Sequence, residues 1–320
     1  MYKIFIDGQA GTTGLLIHQY LEGRQDLEIL SIADADRKND EAKLALVREA
    51  DVVILCLPDD AARQTVKLAS NTGVRIIDAS TAHRVADGWV YGMPELAPGQ
   101  REAIADARFV ANPGCYPTGF LLALAPLVRA GKLDIASDVV ISAVSGYTGG
   151  GRQMVEDYEA REKSHPHDLW PPRAYGLTMH HKHVPEMHKY SGLAHAPMFL
   201  PQVAHYRQGM LVSVPLSNRA RMPGASLDAI YELLAETYAN EACVTVHAPN
   251  DESCLDGGKL DPQANNGTNN LDLFVFGNEE QALVIARLDN LGKGAAGAAV
   301  QNLNIMLGID ELTGLKGRTA

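Results

Sequence analysis

Lys3-Ile4-Phe5-Ile6-Asp7-Gly8-Gln9-Ala10-Gly11-Thr12-Thr13-Gly14 joins an apolar run to three glycines spaced three apart. The run at Lys3–Ile6 predicts a strand, and the pattern over Gly14–Leu21 predicts the helix that follows. Between them, Gly8, Gly11 and Gly14 supply the backbone angles of a tight turn and allow a phosphate to come close. The helix N-terminus, at Thr12, Thr13 and Gly14, offers N–H groups and the positive end of a dipole to a pyrophosphate. The spacing is G-x-x-G-x-x-G and not G-x-G-x-x-G, so a strand-to-helix turn with no ligand is the plain alternative.

Beyond the turn the same rhythm continues. Leu27–Ile32, Val52–Leu57 and Val74–Ile77 predict strands, with helices over Glu41–Glu49 and Ala61–Ala69 between them. Strands apolar on both faces, separated by helices, make a parallel sheet covered on both sides. The loop at Ala86–Gly99, with two prolines and three glycines, interrupts the rhythm. From Val139 the texture changes. Val139–Ser145 and Gln208–Val214 predict strands, Leu227–Tyr238 a helix and Asn265–Asn270 a polar turn. Leu271–Phe276 and Ala282–Leu288 predict an antiparallel pair. Gly294–Leu307 is helical in pattern and is expected to return to the first domain. The expected class is α/β: an N-terminal Rossmann-type parallel sheet (1–117), an α+β domain (118–288), and a C-terminal helix (289–320).

The chain has 320 residues, 46% hydrophobic and 21% charged, the make-up of a soluble globular protein. A net charge of −11 argues against nucleic acid as a partner, and an anionic substrate would need a locally positive pocket. No stretch approaches the roughly 18 apolar residues of a membrane span. The first residues run into a strand with neither a signal-peptide core nor a cleavage site, so cytoplasm is the expected compartment. Cys56, Cys115, Cys243 and Cys254 include no C-x-x-C pair, which leaves neither a disulfide framework nor a zinc ribbon.

Asn112-Pro113-Gly114-Cys115-Tyr116-Pro117-Thr118-Gly119 is the most informative string for chemistry. Pro117 suits a first helical position, and Phe120–Val128 continues as an apolar helix. Cys115 then sits in the opening turn, where the dipole favours a thiolate and backbone N–H groups can meet an oxyanion. A small buried apolar cysteine is the ordinary alternative. It suits Cys56, in the middle of an apolar strand, better than Cys115. Cys243 and Cys254 receive no role. Asp34 lies 20 positions after Gly14, where an acid commonly holds a ribose hydroxyl, whereas Arg37 and Lys38 suit a 2′-phosphate; the residues leave that choice open.

Six of the 11 histidines fall within His165–His188. No acidic or cysteine partner stands at a ligand spacing there, so no metal is expected. A loop presenting one histidine as acid/base beside a cysteine nucleophile is the more economical expectation.

Together these strings resemble N-acetyl-γ-glutamyl-phosphate reductase of arginine biosynthesis, in its shorter type, over nearly the whole chain. The resemblance rests on the glycine turn, Asp78-Ala79-Ser80-Thr81-Ala82-His83-Arg84, the cysteine string and Ser145-Gly146-Tyr147-Thr148-Gly149-Gly150-Gly151-Arg152. It rests further on His181-Lys182-His183-Val184-Pro185-Glu186 and on Asn290-Leu291-Gly292-Lys293-Gly294-Ala295 with the residues that follow to Asn302. Aspartate-semialdehyde dehydrogenase shares the glycine turn and a lysine-glycine ending, with different sequence expected around its cysteine and histidine. The resemblance implies NADP as cofactor, a small-molecule substrate, no nucleic-acid or membrane partner, and a cytoplasmic homo-oligomer, dimer or tetramer.

The expected chemistry is reduction of an acyl phosphate to an aldehyde through a Cys115 thioester. His183 is the expected acid/base, His181 its alternative, and Glu186 a group that orients one of them. Arg84 and Arg152 suit the substrate's phosphate or carboxylate. Asn112, Ser145 and Gly146 complete the expected substrate contacts. Lys293, Gly294 and Ala295 would line the nicotinamide end of the cofactor. His181 and His183, two apart, would point in opposite directions on an extended loop.

Overall fold

Alternation along the first strand sets the layers of the first unit. β1 (Tyr2–Asp7) sends Ile4 and Ile6 to one face of a sheet and Phe5 to the other. The computed structural model describes residues 1–37 and 39–317. Among them a six-stranded parallel sheet runs β2-β1-β3-β4-β6-β5. Its other strands are β2 (Leu27–Leu30), β3 (Val52–Leu55), β4 (Arg75–Asp78), β5 (Val90–Tyr91) and β6 (Phe109–Ala111).

Helices cover both faces, as parallel strands require. α1 (Thr12–Leu21), α4 (Gln100–Asp106) and α9 (Gly297–Leu307) bury Ile17, Ile104, Ala299, Val300 and Leu303 on the Ile4 face. α2 (Asp40–Glu49) and α3 (Asp59–Leu68) bury Val47 and Ala62 on the Phe5 face. Strand order reverses about β1 and β3, the switch point at which such sheets take ligands. The first unit comprises Met1–Pro94, Pro98–Gly114 and Ala295–Leu315.

The second unit is built mainly from Cys115–Gly294, with Glu95–Ala97. Its described residues form a seven-stranded mixed sheet in the order β11-β12-β13-β10-β7-β9-β8. The strands are β7 (Val140–Gly146), β8 (Arg173–Ala174), β9 (Met198–Ala204), β10 (Met210–Ser217), β11 (Val244–Val246), β12 (Leu271–Gly277) and β13 (Gln281–Leu288). β12 and β13 pair antiparallel in register Leu271↔Leu288, as the sequence pattern anticipates. The helices are α5 (Cys115–Arg129), α6 (Arg152–Ser164), α7 (Val184–Ser191) and α8 (Leu227–Thr237).

α5 is apolar nearly all round, and every residue from Tyr116 to Leu127 is buried. A helix of that composition belongs inside a core. Gly119 lets it approach the sheet: a Cβ there would stand 2.9 Å from a Val212 methyl. Pro126 lies within the helix and has no N–H for the carbonyl of Leu122. The buried Tyr238 hydroxyl donates to that carbonyl instead, at 2.7 Å.

β2 and β3 end two residues before their apolar runs, at Leu30 and Leu55, whereas β1, β12 and β13 extend one residue beyond theirs at one end or both. One difference matters for chemistry. α5 starts at Cys115 itself, so Pro117 is its third residue and not its first. A helix leaves its first four N–H groups unpaired by the ladder, so a proline is tolerated there equally well.

Candidate active site

In the first unit the glycine turn is sterically dictated at two of its three positions. Gly8 has φ +95°, and a Cβ on it would lie 2.3 Å from the Cys56 carbonyl oxygen. A Cβ on Gly14 would lie 2.5 Å from the Gly8 carbonyl oxygen. Gly11 donates its N–H to Gly8 and caps α1 without a side-chain bond. Its own Cβ would meet nothing closer than 3.5 Å, so internal crowding does not require glycine there. Thr12 and Thr13 open α1, with their N–H groups at its positive end.

A cavity of about 540 Å3 adjoins the turn, lined by Gly8, Gln9, Gly11, Arg37, Lys43 and Pro58 among others. Lys43 pairs with Asp7 at 2.9 Å, and Thr65 donates to the same carboxylate at 3.0 Å. Asp7 is thus neutralised next to the turn, where its charge would otherwise repel a phosphate. The crowded turn and a cavity lining that carries Arg37 and Lys43 beside Asp7 and Asp40 fit a dinucleotide. Lys38 and the side chain of Asp34 lie outside the described residues, so of the three candidate selectors only Arg37 is placed, at this cavity.

Asn112 and Arg84 brace the same unit. The Asn112 amide donates to Ala295 O at 3.0 Å and accepts from Asn302 at 3.1 Å. Arg84 is buried and donates to the carbonyls of Asn112 and Ala79. Asp78 in turn holds Ser80 and His83 through its carboxylate. The Asp78–Arg84 string is therefore a scaffold for the segment leading to Cys115.

In the second unit Cys115 begins α5, and the chain from β13 closes against it. Gly292–Ala296 forms a π-helical turn, and a Cβ on Gly294 would stand 2.8 Å from the Cys115 Cβ and 3.3 Å from its Cα. Only glycine allows this contact without displacing the cysteine. Lys293, 2% exposed, pairs with buried Glu95 at 2.6 Å.

Aromatic rings gather beside the cysteine. Tyr116 faces His181, His183 and Phe199, with ring centroids 6.1, 5.9 and 4.9 Å away. Tyr175 donates to the Tyr116 hydroxyl at 3.0 Å, which reaches the Gln202 carbonyl at 3.4 Å. Burial raises the Tyr175 phenol to about 12; the Tyr116 hydrogen bond opposes this and the charge on Cys115 adds to it. Tyr175 is thus a neutral donor close enough to Cys115 to feel its sulfur.

The two histidines do not diverge as an extended loop would require. The chain turns at Lys182–His183, with His183 in the helical region, and brings the rings to 4.8 Å. His181 Nδ1 accepts the His183 N–H at 3.2 Å. Burial first, then the neighbouring Lys182, pushes the His181 ring down to about 4. At neutral pH it is uncharged, and with Nδ1 accepting, its proton sits on Nε2. Glu186 is buried in the first turn of α7, where its charge joins burial in raising Tyr190 to about 12.

Of the other predicted contacts, Ser145 and Gly146 end β7, and Ser145 is buried beside Tyr116 and Gly149. Arg152 opens α6 on the surface, 77% exposed, and pairs with Glu156 at 2.7 Å. Tyr116, Tyr175 and Glu95 were not singled out from the sequence. The first two stand in the cysteine and histidine strings and were legible by adjacency; Glu95 carries no local signal.

Fold and site define a member of the semialdehyde dehydrogenase class. Residues 3–107 match the family model described as semialdehyde dehydrogenase, NAD binding domain, and residues 115–290 match its dimerisation domain. The chain is 52% identical to N-acetyl-gamma-glutamyl-phosphate reductase 2 of Nostoc sp., over 98% of this chain and 99% of the relative. It therefore belongs to the N-acetyl-γ-glutamyl-phosphate reductase family.

Among solved structures, a probable aspartate-semialdehyde dehydrogenase from Pseudomonas aeruginosa superposes with TM-score 0.72 at 18% identity, covering 96% of this chain and 98% of that one. Aspartate semialdehyde dehydrogenase with NADP from Candida albicans superposes with TM-score 0.63 at 14% identity, with the same coverage. At such identities the likeness is one of fold. No helix among the described residues is long and apolar enough to cross a membrane.

Proposed function

We propose that the chain reduces N-acetyl-γ-glutamyl phosphate to N-acetylglutamate semialdehyde in arginine biosynthesis, with NADPH as reductant and a thioester on Cys115. The observation that carries this is the setting of Cys115: first residue of a buried helix, closed by Gly294, with the His181 and His183 rings gathered around the adjoining Tyr116. Family membership supports the substrate. The family's NAD binding domain and the turn at Gly8–Gly14 support the cofactor, and Arg37 is the described cation suited to its 2′-phosphate.

When bound, NADPH supplies the hydride. His183 takes the proton of the Cys115 thiol as sulfur attacks the acyl carbonyl. The new S–C bond forms, the C–O bond to phosphate breaks, and phosphate leaves. First-turn N–H groups of α5 hold the oxyanion of that step. After reduction of the thioester, the thiohemiacetal collapses to aldehyde, and His183 returns the proton to sulfur. His181, neutral with its proton on Nε2, donates a hydrogen bond without giving up the proton. Glu186 orients the loop, and Ser145 and Gly146 face the substrate. Arg84 and Asn112 act by bracing the segment that leads to Cys115. The dimerisation description of the second domain supports a homo-oligomer, dimer or tetramer, and a diffusible metabolite as substrate supports a cytoplasmic site of action.

The test is the reverse reaction: phosphate-dependent reduction of NADP with N-acetylglutamate semialdehyde or aspartate semialdehyde. A preference of at least about tenfold in kcat/KM for the acetylated substrate is expected, or about 1.4 kcal/mol of transition-state binding. Equal rates, or preference for aspartate semialdehyde, would overturn the substrate assignment.

A further inference from the structure

We propose that His247, Asp251 and Cys254 form a three-ligand site for a divalent metal of the zinc class, in the second unit and apart from the thiol–histidine cluster at Cys115. The three residues follow edge strand β11, which ends at Val246. The His247 and Asn250 N–H groups bond the carbonyls of Leu273 and Val275 on β12, and a 3-10 turn at Glu252–Cys254 folds the chain back. One donor atom from each residue lies within 4.8 Å of the other two, and all three residues are half-buried. A nitrogen, a carboxylate oxygen and a thiol make the mixed set that zinc favours.

Each ligand is already held in orientation. Asp251 Oδ1 accepts from the Ser253 N–H and hydroxyl at 2.9 and 2.6 Å, which leaves Oδ2 facing His247 Nδ1 at 4.0 Å. The His247 ring stacks on Phe274, 4.4 Å between centroids and 12° between planes. Its Nε2 lies 3.6 Å from Asp272 Oδ1 with no hydrogen bond of its own, although the atom is buried. Asp272 is fixed by Arg287 at 2.7 Å.

Metal-bound histidines typically give their second N–H to such a carboxylate, so the outer support of a site is present before any ion. Zinc bonds of about 2.0–2.3 Å put ligand atoms roughly 3.3–3.8 Å apart, so side-chain rotation alone would close the set. Binding would displace the Cys254 thiol proton to solvent and leave a thiolate on the metal. Without an ion the Cys254 thiol donates to the Asp251 carbonyl at 2.8 Å, the bond that a metal–sulfur bond would replace. A fourth, open position would hold water. The ion would tie the turn from His247 to Cys254 together, with the His247 ring beside Asp272 of β12.

Cobalt(II) titration followed by its thiolate charge-transfer absorption tests the site, with zinc competing the band away. One equivalent should bind wild type, and equally Cys115→Ser. Cys254→Ser should abolish the band, and His247→Gln should weaken binding by about tenfold or more. Zinc should raise the Tm of wild type and Cys115→Ser, but not of Cys254→Ser. A band that survives in Cys254→Ser, that disappears in Cys115→Ser, or that never forms with cobalt in large excess would overturn the proposal.

Discussion

The proposed division of roles between His181 and His183 starts from where the His181 proton can sit. With Nδ1 accepting a backbone N–H and the ring pushed down to about 4, His181 is neutral across the physiological range. It is a poor source of an imidazolium, which supports the proposal that His183 moves the thiol proton. We therefore expect His183→Asn to lose the limb of the kcat–pH profile that titrates in the histidine range, with a fall of about a hundredfold or more. His181→Asn should keep that limb and change mainly the KM for the semialdehyde. Loss of the limb in His181→Asn would reverse the assignment. The sequence made both residues candidates but gave them opposite directions, because alternation holds on an extended chain and the turn at Lys182–His183 removes it. Arg152 shows the same limit: an arginine after a glycine run has the right chemistry, yet on the surface its charge is met by Glu156.

At the scale of elements, the glycines of the first turn were the most legible residues, since they report backbone constraints that do not depend on distant contacts. Gly8 and Gly14 are required by carbonyls within their own turn and its neighbouring strand. Gly294 is different, because its partner Cys115 lies far away in sequence and only the fold brings them together. Gly294→Ala would place a methyl 2.8 Å from the Cys115 Cβ and push the nucleophile aside. Displacing a reacting group by a fraction of an ångström to 1 Å costs about ten- to a hundredfold in rate. That loss is expected in kcat, with KM for the semialdehyde nearly unchanged; wild-type kcat in Gly294→Ala would contradict the packing described. Asn112 and Lys293 were legible as important, but not as buried partners of Asn302 and Glu95, since hydrogen-bond pairing across such separations leaves no pattern in spacing.

Across the whole molecule, the parallel sheet of the first unit was readable from strands apolar on both faces, and the second unit from strands with antiparallel turn signals. His247-x-x-x-Asp251-x-x-Cys254 escaped notice because its support, Asp272 and Arg287, comes from neighbouring strands. Acid stability is a property of the whole chain to which His181 contributes. An unfolded imidazole takes up its proton near about pH 6.5, but the folded ring does so only at about 4. Between these values the unfolded state binds more protons, so stability is complete above about 6.5 and falls as the pH drops towards 4. The drop in Tm between about pH 7 and pH 5 should therefore be smaller in His181→Gln than in wild type; equal drops would show that the ring is not held neutral.

The covalent step is the centre of the account, and it can be seen without turnover. Protein mixed with N-acetyl-γ-glutamyl phosphate in the absence of NADPH should gain the mass of one N-acetylglutamyl group, located by peptide mapping to Cys115 and released by hydroxylamine. Adding NADPH should discharge it as semialdehyde, and Cys115→Ser should acquire no label while still binding NADP. An unlabelled wild-type protein that nonetheless reduces the acyl phosphate, or a label on a residue other than Cys115, would contradict the thioester mechanism.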